Sequence, residues 1–295
     1  MKNKPNLFII GAPKCGTTSL CYYLEAHEQV CFSYPKEAKF FHTDFNKKHR
    51  LFFNENEYLK NFKNINSKTK IIAEGTVWYL YSENAIKNIL DFNKDAKFVV
   101  MLRNPIDLAY SLHSQLLYGG DENIDSFYDA WYLQKQRLNG YNIPPFCRDP
   151  KSLQYGDIAK LGKQVEKLFS IVKREDLHII MFEDFKNNTK KVYEDLLRFL
   201  EIKQNGKSQF PKINENKKIK NKTLAKLIYF LAKIKRDLGI TRSFKVWSFL
   251  QPLISRKNKR NEIEKEFEKE LKLYFKEDII LLSQLISKDL SHWYE

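Results

Sequence analysis

The opening of the chain constrains the fold most, because a short apolar run there meets a glycine-punctuated loop and then a helix-like stretch. The segment NLFIIGAPKCGTTSL begins at Asn6, and its apolar part ends at Ile10. Branched apolar residues in so short a run are typical of a buried parallel strand. Gly11 and Gly16 let the next residues fold around an anion, and a helix N-terminus supplies N–H donors. The segment predicts a strand, a phosphate-binding loop and a helix.

The loop departs from the nucleotide-binding pattern G-x-x-x-x-G-K-[ST], in which a lysine follows the second glycine. Thr17 stands at that position, and the lysine of this loop, Lys14, precedes Gly16 by two residues. The loop is therefore suited to a phosphate group without being built for a magnesium triphosphate. An ordinary strand-to-helix turn is the alternative interpretation of so short a motif.

A second segment, KFVVMLRNPIDLAYSLHSQ from Lys97, repeats the layout of strand, polar turn and helix. Arg103 follows the strand directly, Pro105 suits a first helical turn, and Ser111 falls two turns into the helix. A guanidinium group matches a phosphate through paired N–H donors. Alone, Arg103 is best interpreted as a surface ion-pair partner, but together with the first loop it indicates two anion sites for one nucleotide.

Four segments together resemble the sulfotransferases that use 3′-phosphoadenosine 5′-phosphosulfate (PAPS). They are GAPKCGTTSL, PKEAKFFH from Pro35 to His42, AEGTVWYL from Ala73 to Leu80, and LRNPIDLAYS. Weaker similarity continues through YGDIAKLGKQVEKLF, HIIMFEDF and DLSHWYE, so the resemblance spans nearly the whole chain. It is nearest to bacterial sulfotransferases and to the sulfotransferase domains that modify heparan-type glycans.

The resemblance implies a role for each residue of the donor site. Lys14 would contact the bridging oxygen and the 5′-phosphate, and Arg103 with Ser111 would bind the 3′-phosphate that distinguishes PAPS from ATP. The product would be 3′,5′-adenosine bisphosphate (PAP), and the mechanism requires no metal. The residues expected to cradle the 5′-phosphate are Cys15, Gly16, Thr17, Thr18 and Ser19. Such a site acts through positioning and electrostatics, as in phosphoryl transfer.

The general base is sought in the Pro35 to His42 segment. Glu37 is preferred because it matches the glutamate that precedes two aromatics in glycan sulfotransferases, and a carboxylate can accept the acceptor's proton. His42 competes, because an unperturbed pKa near 6.5 suits proton transfer and cytosolic family members use a histidine. Glu74 is a third carboxylate in matching context, but Gly75 stands where many glycan enzymes carry a lysine.

The acceptor is left open by the sequence. The resemblance favours a carbohydrate or glycolipid hydroxyl, with an amine, another lipid headgroup, a polyketide hydroxyl and a tyrosine as alternatives. Four aromatic residues are candidates for lining the acceptor pocket and equally for filling the core, namely Phe40, Phe41, Trp78 and Tyr79.

Apolar runs alternate with helical stretches, which predicts an α/β fold: a P-loop-like three-layer sandwich with a mostly parallel sheet and helices on both faces. The predicted strands are Leu7 to Ile10, Ile71 to Ala73, Phe98 to Leu102 and His178 to Phe182. The predicted helices are Thr17 to His27, Glu83 to Asp91, Ile106 to Leu117, Ser126 to Leu138, Ile158 to Val172 and Thr189 to Leu200. Asn139 to Gln154 is predicted as a long loop, and residues 1–295 as a single domain.

The positive charge is concentrated in residues 217–260, which contain 14 Lys or Arg and one acidic residue, Asp237, while the whole chain carries +15. Within this basic segment, LAKLIYFLAKIKRDLG predicts a basic amphipathic helix, followed by the aromatic FKVWSFLQPLI and the run SRKNKR. The segment suits an anionic membrane, an acidic glycan or a lid over the nucleotide. A helix packed by its apolar face explains it equally well. Candidates for extra phosphate contacts are Lys217, Lys218, Lys220 and Lys222.

Cysteine and hydropathy patterns favour a cytoplasmic protein, with membrane association as an open alternative. The four cysteines form no C-x-x-C pair and the six histidines no H-x-x-x-H cluster, so no metal site is expected. No apolar run reaches the roughly 18 residues that span a membrane, and the amino terminus lacks a signal-peptide core. Free thiols suit a reducing compartment.

Two other functions compete with sulfuryl transfer. A nucleotide kinase with an altered loop would require ATP and magnesium, but the missing lysine after Gly16 argues against it. A non-catalytic protein that binds nucleic acid or a membrane would lose affinity steeply with salt. The concentration of charge outside the motif-bearing core argues against a function that depends on charge alone, and nucleic acid is not the expected partner.

Overall fold

The computed structural model of the protein describes residues 4–211, 213, 217–237, 255–257 and 262–295. The strands are β1 (Leu7–Gly11), β2 (Val30–Phe32), β3 (Ile71–Glu74), β4 (Lys97–Leu102), β5 (Leu177–Met181), β6 (Lys217–Ile219) and β7 (Ser255–Lys257). The helices are α1 (Thr17–Glu25), α2 (Glu55–Leu59), α3 (Ala85–Phe92), α4 (Pro105–Gly119), α5 (Phe127–Tyr132), α6 (Gln134–Leu138), α7 (Tyr155–Ala159), α8 (Leu161–Ile171), α9 (Phe182–Asn187), α10 (Thr189–Phe199), α11 (Lys222–Asp237) and α12 (Lys265–Ile286).

Strands β1 to β5 form one parallel sheet in the order β2-β3-β1-β4-β5. Leu7 of β1 lies opposite Ala73 of β3, and Phe8 lies opposite Phe98 of β4. Every residue of β1 is buried, and so is every residue of β4 after Lys97. Strands covered on both faces need apolar residues at successive positions, which LFIIG and FVVML supply. The predicted α/β class is confirmed, with a central parallel sheet and helices around it.

The centre of the sheet places the two predicted anion motifs side by side. β1 has β3 on one side and β4 on the other, so the strand order changes direction there. Ligands of open parallel sheets bind at the carboxyl ends of the strands at such a point. The loop after β1 is held to β4 by a 2.8 Å hydrogen bond from the Ala12 N–H to the Met101 carbonyl.

The chain divides into two compact units. The first comprises Met1–Leu108, Lys160–Asn214 and Phe275–Glu295, and it contains the parallel sheet. The second comprises Ala109–Ala159 and Glu215–Tyr274. The chain therefore enters the second unit within α4, after β4, and has returned to the first unit before β5 begins.

A buried ion pair organises the second unit. Arg137 and Glu122 are fully buried, and two guanidinium N–H groups donate to the carboxylate over 2.6 and 2.7 Å. The Tyr155 hydroxyl donates to the same carboxylate over 2.6 Å. Burial works to raise the pKa of Glu122, but the hydrogen bonds from Arg137 and Tyr155 outweigh it, and the pKa lies below its ordinary value. The charges are thus paired, as buried charges must be.

The predicted strands agree with β1, β3, β4 and β5 to within one residue at each end. Phe182 differs in its type of secondary structure: the sequence predicts it as the end of a strand, but it is the first residue of α9. β2, whose three residues read VCF, was not predicted, since so short a run carries no periodic signal. The long helix α12 was not predicted either.

Two predicted helices are each split in the structure. Ser126 to Leu138 becomes α5 and α6, which are separated at Leu133. Ile158 to Val172 becomes α7 and α8, because the Asp278 carboxylate accepts hydrogen bonds from the N–H groups of Gly162 and Lys163, over 2.8 and 3.0 Å. This cap comes from more than a hundred residues away, so the local sequence does not reveal it.

The basic amphipathic helix is confirmed as α11. The segment FKVWSFLQPLI lies outside the described residues, and of SRKNKR only Ser255–Lys257 is described, as the strand β7 that pairs antiparallel with β6. The predicted loop from Asn139 to Gln154 contains a single 3-10 turn, Pro150–Leu153. No helix within the described ranges combines the length and apolar character that crossing a membrane takes.

Candidate active site

The loop after β1 ends in an open helix terminus. Lys14 and Gly16 have positive φ angles of 64° and 88°, and the Gly16 carbonyl accepts the first hydrogen bonds of α1, from the N–H groups of Ser19 and Leu20. No described side chain caps this helix end. The first-turn N–H groups therefore remain for a ligand, and the helix dipole favours an anion.

The space beside Gly16 is closed by aromatic rings. A Cβ atom at this position would lie 3.1 Å from the ring of Phe182 and 3.3 Å from the ring of Phe185. Because the φ angle of 88° is also unfavourable for residues with a Cβ atom, only glycine suits the position. Sequence reasoning missed the role of Phe182, although an aromatic residue at the carboxyl end of a predicted strand was the available signal.

Arg103 joins the second motif to the first. Its Nη1 donates to the Lys14 carbonyl over 3.2 Å, and its Nη2 donates to the Asp107 carboxylate over 2.7 Å. The guanidinium also lies 4.7 Å from the centroid of the Phe182 ring. The structure thus brings Lys14 and Arg103 together. Arg103 also forms an ion pair with Asp107, as its interpretation as a surface ion-pair partner predicts.

The other predicted donor residues differ in exposure. Thr17 is buried, and Thr18 and Ser19 are partly exposed at the start of α1. The Cys15 side chain is fully buried, and burial raises its pKa to about 12, against the opposing effects of Arg103 and Lys14. This thiol stays protonated at neutral pH. Ser111 is buried on the part of α4 that belongs to the second unit.

The segment from Pro35 to His42 is attached by hydrogen bonds to the residues that follow β3, and these in turn to β1. The Gly75 N–H donates to the Lys36 carbonyl (3.0 Å), and the Lys39 N–H donates to Thr76 Oγ1 (3.1 Å). The Phe40 and Phe41 N–H groups both donate to the Tyr79 hydroxyl, over 3.0 and 3.2 Å. The connection to β1 is a 2.9 Å hydrogen bond from the Leu80 N–H to the Ile10 carbonyl. This network ties the acceptor-side segment to the strand that precedes the phosphate loop.

Glu37 lies between two ammonium groups of its own segment. Its carboxylate oxygens are 3.5 Å from Lys36 Nζ and 3.8 Å from Lys39 Nζ. The Glu37 side chain is 29% exposed, so solvent or a substrate can reach it. The two ammonium groups attract the carboxylate and restrict its orientation.

Lys36 occupies the space above Gly75. A Cβ atom at Gly75 would lie 3.5 Å from Cγ and Cε of Lys36 and 2.8 Å from the Cys21 sulfur. The Lys36 ammonium is enclosed and makes no hydrogen bond to a described residue, with the Glu37 carboxylate as its ion-pair partner. Sequence reasoning noted the missing lysine at position 75 but did not find that a neighbouring segment brings one there.

Glu74 is a fully buried carboxyl group at the end of β3. Burial raises its pKa to about 7, although the nearby hydroxyls of Tyr79, Tyr58 and Thr76 oppose part of this rise. Neither carboxyl oxygen has a hydrogen bond of ordinary geometry to a described residue. The charged form is therefore poorly stabilised, and Glu74 takes up a proton near neutral pH.

His42 is buried and neutral. Its Nε2 atom shares a 3.1 Å hydrogen bond with Nδ1 of His49, and burial, followed by the charge of Lys39, lowers the pKa of His42 to about 3. The described residues hold no cluster of three or more His, Cys, Asp or Glu that could bind a metal ion.

The aromatic residues that were candidates for the acceptor pocket mainly fill the core. Phe41, Trp78 and Tyr79 are buried, with 3%, 5% and 0% of their surface exposed. Phe40 is partly exposed and stacks on the Tyr58 ring, with 4.6 Å between the centroids. Of the four, only Phe40 presents substantial surface to a ligand.

Comparison with known proteins gives the following similarities. Residues 4–280 match the family model described as a sulfotransferase domain. A crystal structure of a sulfotransferase from Alicyclobacillus acidocaldarius is similar to this chain with a TM-score of 0.72 and 25% sequence identity, covering 99% of each chain.

Two curated proteins match a shorter part of the chain. Membrane-associated sulfotransferase kil1 of Dictyostelium discoideum is 33% identical over 110 residues, which is 36% of this chain and 22% of that protein. Bifunctional heparan sulfate N-deacetylase/N-sulfotransferase 3 of Mus musculus is 30% identical over 115 residues, which is 36% of this chain and 12% of that protein. The matched region is thus less than a quarter of either relative.

Proposed function

The chain belongs to the sulfotransferase family, and we propose that it transfers a sulfuryl group from PAPS to a hydroxyl or amine group of an acceptor. The observation that carries this proposal is the hydrogen bond from Arg103 to the Lys14 carbonyl, which joins the two anion motifs. A nucleotide with separate 3′- and 5′-phosphates requires two such motifs, whereas one phosphate loop serves an ordinary nucleotide.

The donor's 5′ end would be held at the start of α1. PAPS supplies the sulfuryl group when bound. The N–H groups from Gly16 to Ser19 would hold the 5′-phosphate, in keeping with the uncapped terminus of α1. Lys14 would stabilise the negative charge that develops on the departing phosphate oxygen.

The 3′-phosphate would be bound by Arg103, with Ser111 contributing a hydroxyl group. The Phe182 ring and the Lys14 carbonyl hold the guanidinium in place before a ligand arrives. Such preorganisation lowers the entropy cost of binding. Asp107 competes for the same N–H donors, because its carboxylate accepts from both Nε and Nη2.

Glu37 would act as the general base. The acceptor oxygen or nitrogen would form a bond to sulfur as the bond from sulfur to the 5′-phosphate oxygen breaks; Lys14 would stabilise the electron pair left on that oxygen, and Glu37 would accept the acceptor proton. His42 is less suited, because it is fully buried and its Nε2 already shares a hydrogen bond with His49. The exposure of the Glu37 carboxylate supports the same choice.

Lys36 would assist Glu37 as a positioning residue. Its ammonium is 3.5 Å from Glu37 and has hydrogen-bonding capacity that no described residue uses. The aliphatic part of Lys36 passes over Gly75, with Cγ and Cε at 3.5 Å from the point where a Cβ atom would lie. Lys36 would therefore replace a lysine that many related glycan enzymes carry on the neighbouring segment.

The proposed acceptor is a carbohydrate or glycolipid. Support comes from the similarity to a protein named as a heparan sulfate N-deacetylase/N-sulfotransferase. The two compact units would form one sulfotransferase domain over residues 1–295, since the family match runs through both. We further propose that the reaction proceeds without a metal ion, because Lys14 and Arg103 supply the positive charge.

Calorimetric titration with PAP, AMP and ATP with magnesium tests the donor assignment. We expect PAP to bind at least about tenfold more tightly than AMP, since a charged hydrogen-bonded phosphate contributes about 1.5–3 kcal/mol. Preference for ATP with magnesium would return the first loop to the kinase interpretation. Equal affinities for PAP and AMP would contradict the proposed 3′-phosphate site. The Arg103→Ala variant is expected to bind PAP and AMP with equal affinity.

A further inference from the structure

Helix α11 exposes a continuous apolar stripe. Leu227, Phe230, Leu231 and Ile234 are 54%, 50%, 55% and 41% exposed. Their spacing of three, one and three residues puts all four on one face of a helix. An isolated exposed leucine needs no explanation, but four large apolar side chains in register form a surface that water solvates poorly.

The opposite face of α11 is the one that packs in the second unit. Ala225 is buried, and the Tyr229 hydroxyl donates to the Tyr118 carbonyl over 2.7 Å. The Tyr229 ring lies against Gly120, where a Cβ atom would come within 2.7 Å of it. The helix is therefore anchored by this face, and the stripe is exposed.

One edge of the stripe is basic. Lys226 and Lys233 directly precede Leu227 and Ile234 in sequence, so both lysines stand about 100° round the helix from a stripe residue, on the same side. Helix α11 contains five Lys or Arg and one acidic residue, Asp237, which is its last residue. The stripe thus combines an apolar face with a positively charged border.

An anionic lipid surface is the partner that matches both properties. Amphipathic helices with a basic border lie in the plane of a bilayer, with apolar side chains at the acyl boundary and lysines at lipid phosphates. A nucleic acid or acidic glycan would use the lysines but leave the aliphatic stripe in water. A second copy of the chain would bring two basic segments together and be opposed by their charge.

We propose that α11 binds this protein to anionic membranes, with Leu227, Phe230, Leu231 and Ile234 inserted at the headgroup boundary. The helix has 16 residues and lies on the surface rather than spanning the bilayer. The interaction is independent of sulfuryl transfer and is measured without any acceptor.

Vesicle co-sedimentation of the full chain tests the proposal. We expect binding to vesicles of phosphatidylcholine with 30% phosphatidylglycerol, no binding to phosphatidylcholine alone, and weaker binding as salt rises. The double variant Phe230→Ser/Leu231→Ser should lose at least about tenfold in affinity, because two apolar side chains no longer leave water. Lys226→Gln/Lys233→Gln should lose about tenfold and show a weaker salt dependence.

Leu273→Ser is the matched control, because Leu273 is a 74% exposed leucine of α12 in the same unit. It should bind vesicles as the unsubstituted chain does, and all variants should keep the same thermal unfolding midpoint. The proposal is overturned if the unsubstituted chain does not bind anionic vesicles at about 0.1 M salt, or if Phe230→Ser/Leu231→Ser binds as well as Leu273→Ser. It is equally overturned if sedimentation velocity shows a dimer that only the stripe variant abolishes.

Discussion

The phosphate loop after β1 and the acceptor-side segment from Pro35 to His42 lie in the same compact unit but are built differently. The loop is a backbone structure, made by two left-handed residues, an uncapped helix end and a bond to Arg103. The acceptor-side segment depends on charged side chains, with Glu37 between Lys36 and Lys39. Substitutions in the two regions should therefore separate donor binding from transfer.

The largest expected effect is in the phosphate loop, in Lys14→Ala. Loss of a cation at the leaving group should reduce the turnover number by about 10²–10³-fold. The measurement is transfer of radiolabelled sulfate from PAPS to desulfated heparan-type glycan. Lys94→Ala, which removes an exposed lysine from another loop, is the control. Turnover of Lys14→Ala equal to that control would contradict the role of Lys14.

Glu37→Gln should separate the regions most cleanly. We expect turnover to fall by about 10²-fold, because the amide cannot accept a proton, while PAP affinity measured by calorimetry stays within about twofold. Glu57→Gln, in an exposed position of α2, should change neither quantity. Full activity of Glu37→Gln together with an inactive His42→Gln would move the base to His42.

Glu74→Gln tests the buried carboxyl group through stability. Because the pKa of Glu74 is raised from 4.5 to about 7, the folded protein binds more protons than the unfolded chain between these values. The free energy of unfolding should fall as pH rises through that window. Glu74→Gln should therefore be more stable than the unsubstituted protein above pH 7, by about 3 kcal/mol, and equal to it below pH 4.5. Urea unfolding above pH 7 and below pH 4.5 measures the free energy of unfolding of both proteins. If that free energy differs between them by the same amount in both pH ranges, titration of Glu74 is not the cause.

Lys36→Met should affect transfer and spare donor binding. We expect about a tenfold loss of turnover, since Glu37 loses its nearer cation and is no longer held in position. Lys39→Met is the matched comparison, because Lys39 lies 3.8 Å from the same carboxylate but does not cross Gly75. A larger loss of turnover in Lys39→Met than in Lys36→Met would show that Lys36 is not the lysine that positions Glu37. Lys36→Arg should retain more of the turnover than Lys36→Met.

The smallest expected effect is in Asp107→Asn, on the donor side. Removing the charge that competes for Arg103 should tighten PAP binding by about twofold, as expected for a partly exposed ion pair. Calorimetry with PAP measures this, with the exposed Asp91→Asn as control. Weaker binding in Asp107→Asn would mean that Asp107 is needed to orient the guanidinium.

Local patterns predicted the parts of the fold that depend on local physics. The runs LFIIG and KFVVML form central strands because only apolar residues tolerate burial on both faces. The helix of the basic segment is present as α11 because its residues favour a helix. Leu161 as the start of α8 could not be predicted, because the carboxylate that caps it belongs to Asp278.

The sequence by itself determined the order of strand, loop and helix around Lys14 and Arg103, since glycines, proline and apolar runs act on neighbouring residues. Only the tertiary structure decided which side chains meet across the chain. It placed Lys36 over Gly75, set Phe182 against both Gly16 and Arg103, and enclosed Glu74 so that its pKa rises. These outcomes depend on burial and on contacts between distant segments, and no local pattern encodes either.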